Sequence, residues 1–134
     1  MRLYSVAVTS LAVDAPAKWT DNLIAHHRLP EVRSRSRGVE RGVSWAGVVR
    51  IALIRALHLE LGCGIREAVM LSSTLLRDAT NNVALGQRLV VGFDREGLER
   101  DVRLRLGEAL ESAPRPRRGR PARRDRDRLP SDQG

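Results

Sequence analysis

The chain has 134 residues, with 24 Lys+Arg against 16 Asp+Glu, a net charge of +8 and an isoelectric point near 11.3. That length fits one domain plus an appendage, and that charge favours polyanions or anionic surfaces as partners. Aromatic residues are only 3%, too few for the serial base stacking of single-strand binders, and the single Cys63 excludes an internal disulfide or a thiolate-rich metal centre.

No stretch approaches the roughly 20 apolar residues that span a bilayer, and MRLYSVAVTSLAV has none of the marks of a secretion signal. The expected location is cytoplasmic, on the nucleoid if DNA is the partner. Tyr4 to Val8 alternates weakly and is compatible with a short strand, while TSLAV reads equally well as a first helical turn. Asp14 before Ala-Pro-Ala predicts a second short helix, with the carboxylate capping it and Pro16 in its first turn. Within KWTDNLIAHH, Trp19, Leu23 and His27 share one face, leaving Lys18, Asn22 and Ala25 on a less apolar one, and Pro30 ends the element.

RSRSRGVERGVS, with small and basic residues alternating and glycines at 38 and 42, predicts an exposed hairpin. Ser44 is the expected cap of the next helix, Trp45–Leu61, which is apolar almost all round and so belongs at the centre of the fold. Gly62 and Gly64 end it, and Ile65, Ala68, Val69, Ser72, Leu75 and Leu76 recur at helical spacing until Asn81-Asn82. After a short loop, RLVVGF reads as a strand and Asp94 as the cap of a last helix with a Leu98, Val102, Leu106, Leu110 stripe. On that helix Glu96–Arg100, Glu99–Arg103 and Asp101–Arg105 place acid four residues before base. The segment from Arg115 holds eight arginines against three aspartates, with little apolar content to offset the entropy of ordering, and is expected to be disordered when free.

The order short helix, turn, short helix, basic hairpin, long helix, second helix is that of a winged helix-turn-helix. Residues 9–76 resemble the DNA-binding domain of MerR-type transcription regulators. TSLAV stands at the start of that family's first helix, APAKWTDNLIAHHRLP at its recognition helix, RSRGVERGVS at its wing and LGCGI at its ELG-turn. The resemblance implies a mainly α, winged helix-turn-helix fold at 1–82; beyond it the residues themselves read as a strand-helix extension at 83–113 that dimerises or packs and a disordered Arg/Pro-rich tail at 114–134. It carries over to DNA binding and not to effector sensing, because no coiled-coil helix follows Leu76 and no cysteine pair is present.

The chemistry of the residues points the same way. Lys18 suits guanine acceptors, Asn22 suits the adenine edge, and Arg28 suits a phosphate. Arg33, Arg35, Arg37 and Arg41 on the hairpin can track a phosphate strand or enter a minor groove. In the tail, Arg118-Gly119-Arg120-Pro121 resembles the core of an AT-hook: glycine sits deep, proline keeps the chain extended, and arginines meet the negative potential of a narrow A·T groove. No phosphate-binding glycine loop, nucleophile elbow, acid pair or metal-ligand cluster is legible, so neither an enzyme nor a cofactor is expected. The expected function is transcriptional regulation through double-stranded DNA, with a homodimer among the arrangements foreseen. The competing expectation is a non-enzymatic interaction module, an adaptor or antitoxin, in which Leu98–Leu110 grips a partner and the basic segments serve solubility.

Overall fold

The computed structural model describes residues 2–33 and 41–112. The described chain is mainly helical with two small sheets, in the order β1 (Leu3–Tyr4), α1 (Val6–Ala12), α2 (Ala17–His26), β2 (Val32–Arg33), β3 (Gly42–Ser44), α3 (Trp45–Glu60), α4 (Ile65–Arg77), β4 (Asn82–Leu85), β5 (Leu89–Gly92) and α5 (Arg95–Ser112). At the N-terminus only Leu3–Tyr4 is a strand: Val6–Val8, read as compatible with one, open α1 instead, three residues before TSLAV, because Ser5 caps the helix by accepting from the Val8 amide at 3.1 Å.

Strand β3 is the centre of the first sheet, in the order β1-β3-β2, with both neighbours antiparallel. The N-terminal strand is thereby fastened to the inner arm of the β2–β3 hairpin. Helix α3 begins at once, capped by Ser44 Oγ accepting from the Gly47 amide at 3.2 Å as its sequence predicts. Eight of its residues are buried, among them Val48, Ile51 and Ile54, so this helix is the axis of the core. Gly62, at φ +76°, takes the left-handed conformation that ends it. Helix α4 folds back against α3, burying Ala68, Ser72 and Leu75.

Three expectations need correction. Asp14 does not cap α2: it sits at φ +56°, while Pro16 occupies the cap position, where no side chain bonds to the helix. With Asp14 in the left-handed region the chain turns two residues early, and the extended backbone of Pro16 becomes the cap. The stretch read as a short loop contains β4, which pairs antiparallel with β5 from Asn82↔Gly92 to Leu85↔Leu89. Helix α5 buries Gly97, Val102, Leu106 and Ala109, while Leu110 is exposed. Its contact line is thus rotated toward the small residues, because α5 lies against α1 and α3 rather than projecting from the domain. Asp94 does cap it, accepting from the Gly97 amide at 3.0 Å. Of the acid-base pairs foreseen there, Glu99 meets Arg103 at 3.9 Å and also Arg95 at 2.9 Å.

One hydrophobic cluster runs from Val8 and Leu23 through α3 to Leu75, Val102, Leu106 and Ala109. Residues 83–113 therefore share a core with the preceding segment over their described part. Among the described residues no helix is long and apolar enough to cross a membrane.

Candidate nucleic-acid interface

Helix α2 is anchored by its inner side. Leu23 and Thr20 are buried, and Ile24 and Trp19 are half-buried against the core. The Arg55 guanidinium of α3 lies over the Trp19 ring, 4.8 Å from its centroid, a cation–π contact that ties the two helices together. At 100° per residue this fixes the opposite arc as Lys18, Asp21, Asn22 and Ala25, and all four are exposed. The expected division of the helix holds, except that His27 lies past its end, as the C-cap.

The same helix is joined to the hairpin base. Arg41 Nη1 donates to Asp21 Oδ1 at 2.8 Å, which places Arg41 against the edge of the Lys18–Asn22 arc. Arg28 and Arg41 line a cleft of about 370 Å³ together with His26 and His27, between the end of α2 and the start of β2. Arg33 is exposed on β2, paired in register with Gly42. Lys18 and Asn22 therefore lie on α2, Arg28 in the segment that follows it, Arg33 on β2 and Arg41 immediately before β3. Arg35 and Arg37, and Arg118, Gly119, Arg120 and Pro121 of the tail, lie outside the described residues.

The base of the hairpin is held by a stronger pair. Arg50 reaches from α3 to Glu31 in fork geometry, Nε to Oε1 at 2.8 Å and Nη2 to Oε2 at 2.7 Å, and its Nη1 donates to Ser73 Oγ of α4 at 2.8 Å. The Glu31 carbonyl also accepts from the Ser44 amide at 3.2 Å. One carboxylate and its backbone thus fix the hairpin to α3 and α4, and through them to α2.

Sequence reasoning missed Asp21, the one acid on the outward arc, although its spacing of three from Lys18 and one from Asn22 places it there. It also missed that His26 and His27 border the basic cleft. The histidines make local bonds: His26 Nδ1 donates to the Asn22 carbonyl at 2.9 Å and His58 Nδ1 to the Cys63 carbonyl at 2.8 Å. No protein-family model, curated protein or solved structure matches the chain.

Proposed function

We propose that the protein is a DNA-binding transcriptional regulator with a winged helix-turn-helix of MerR-like layout, in which α2 enters the major groove and the basic hairpin contacts the backbone. The observation that carries this reading is the exposed arc of α2, with Lys18 and Asn22, joined through Asp21 to Arg41 at the hairpin base. A recognition helix needs one side in a core and the other free to approach base edges, next to cations that hold the phosphates in register.

The element order and the β1-β3-β2 sheet support the same reading, since they set a two-helix unit beside a hairpin. Lys18 and Asn22 supply base contacts, Arg28, Arg33 and Arg41 supply phosphate contacts, and Arg35, Arg37 and the Arg118–Pro121 segment extend the cationic surface. A tethered tail raises local concentration and multiplies two weak affinities. The test is fluorescence-polarisation titration of the full chain, and of the chain lacking residues 114–134, against random and A·T-rich duplexes at several salt concentrations. Affinity should fall linearly on a log–log salt plot, and the tail deletion should leave sequence preference by α2 intact. Sequence-blind binding that vanishes with the tail would refute the proposal.

A further inference from the structure

Among the described residues the longest run of exposed positions, 84–90, lies in the β4–β5 hairpin. Leu89 and Val90 are two-thirds exposed and Leu85 more than one-third, and Arg88 is the only charge from Asn81 to Gly92. A two-stranded ribbon is marginal by itself, and exposed edge strands usually carry lysine, proline or a bulge that prevents pairing. Strand β5, Leu-Val-Val-Gly, carries none of these.

The ladder fixes which backbone groups face outward. Phe93 N donates to Asn81 O at 3.2 Å, so Asn81 and Phe93 form a hydrogen-bonded pair. By alternation Val83–Val91 and Leu85–Leu89 do as well. Val90 and Gly92 therefore direct their N–H and C=O away from β4, with no hydrogen-bond partner among the described residues. On β4 the equivalent outward amide of Asn82 is already taken by Asp78 Oδ2 at 3.2 Å, and β4 packs against α4. The open edge is that of β5.

We infer that β5 pairs antiparallel with β5 of a second copy across a two-fold axis at Val91, making a four-stranded sheet from two hairpins. Two-fold antiparallel pairing of this edge can centre on Val90 or on Val91, and charge decides between them. Centred on Val91, the pairing brings Arg88, in the turn before β5, alongside Asp94 of the other copy, the exposed α5 cap just past β5, twice by symmetry, and opposite charges brought together across strands stabilise a pair. It also sets Leu89 opposite Phe93, continuing the apolar face on which Val83, Val91 and Phe93 pack against the core. On the other face Val90 comes opposite Gly92, beside which the Asn82 amide side chain lies. Centred on Val90, Arg88 would face Gly92 and gain no charge partner.

The inference does not depend on nucleic acid, and its test contains none. Sedimentation of the full chain should show a dimer. Arg88→Glu, which sets like charges opposite twice, should raise the dissociation constant by about tenfold or more, and Arg88→Lys should leave it within about threefold. In a Cys63→Ser background, Val91→Cys should form an intermolecular disulfide on mild oxidation. A non-hydrogen-bonded pair brings the two Cα atoms to about 4.5 Å, within disulfide range. Circular dichroism confirms that each variant is folded. A monomer, a dimer indifferent to Arg88→Glu, or cross-linking through Val90→Cys in place of Val91→Cys would each overturn it.

Discussion

Asp21 holds Arg41 at 2.8 Å across the gap between α2 and β3, and the pair is largely solvent-exposed on its acidic side. Exposed ion pairs contribute about 0–1 kcal/mol to stability, so the interest of this one lies in the charge it withholds. Asp21→Asn removes the only acid of the outward arc and frees Arg41 for a phosphate. On the proposed function, duplex affinity should rise about threefold to tenfold and the log–log salt slope steepen by about one. Melting temperature should hardly move. Titration at several salt concentrations, with calorimetry alongside, measures both.

Lys18 and Asn22 project from the same arc but differ in what they can read. Asn22 can pair with both adenine edge groups at once, whereas Lys18 offers a mobile ammonium. Asn22→Ala should therefore cost about 1–3 kcal/mol against the preferred duplex and relax discrimination at one base pair. Lys18→Ala, which removes a single contact to guanine rather than a paired one, should relax discrimination by less. A binding selection from a randomised duplex pool for each variant separates the two effects, and an unchanged preference in Asn22→Ala would remove it from the reading surface.

Glu31 and Arg50 form the least exposed ion pair among the described residues. Their side chains are 19% and 11% exposed, and two parallel N–H to oxygen bonds offset the cost of removing both charges from water. Glu31→Ala strands the guanidinium and should destabilise the fold by about 2–3 kcal/mol. Replacing both, as Glu31→Leu with Arg50→Met, should recover much of that loss. Chemical denaturation of the single and double variants measures the difference.

The α4–β4 junction should be acid-sensitive. Asp78 accepts from the Thr80 hydroxyl, from the Thr80 amide at 2.9 Å and from the Asn82 amide at 3.2 Å. These bonds hold its carboxyl below the ordinary value of 3.8, the Thr80 hydroxyl contributing most. Because the folded-state value is the lower one, the contribution is fully present above that ordinary value and is lost as pH falls through the depressed one. Hydrogen exchange at the Thr80 and Asn82 amides, corrected for intrinsic rates, should lose protection on strong acidification. In Asp78→Ala it should already be low at neutral pH.

What the sequence made legible was local. Ser44 before Trp45 and Asp94 before Gly97 announce their helices because the cap and the amide it satisfies are three residues apart. The apolar girth of Trp45–Leu61 likewise placed α3 at the centre. The unread parts depend on distant partners. Strand β4 exists through its pairing with β5, and Asn-Val-Ala-Leu alone carries no clear period. On α5 the contact runs through Gly97 and Ala109, small residues that a hydrophobic count passes over and that close packing selects. Lys18 and Asn22 were legible as an outward pair, yet the acid between them and the hairpin showed its role only once Arg41 stood beside it.

The α5 stripe separates structural from recruiting roles for the C-terminal helix. Val102 and Leu106 are buried among α1 and α3, and Arg103 lies 5.0 Å from the Trp45 ring centroid, at the start of α3. A side chain so placed stabilises the chain's own fold. Leu106→Ala should therefore lower stability by about 2–4 kcal/mol, the cost of a buried leucine and the cavity it leaves. Leu104→Ala, on the opposite side of the helix at 66% exposure, should change it by less than about 0.5 kcal/mol. If α5 instead docked loosely and its stripe were free to grip another protein, the two substitutions would have similar, small effects in denaturant. Unfolding midpoints of the two variants, measured at one protein concentration, distinguish these outcomes.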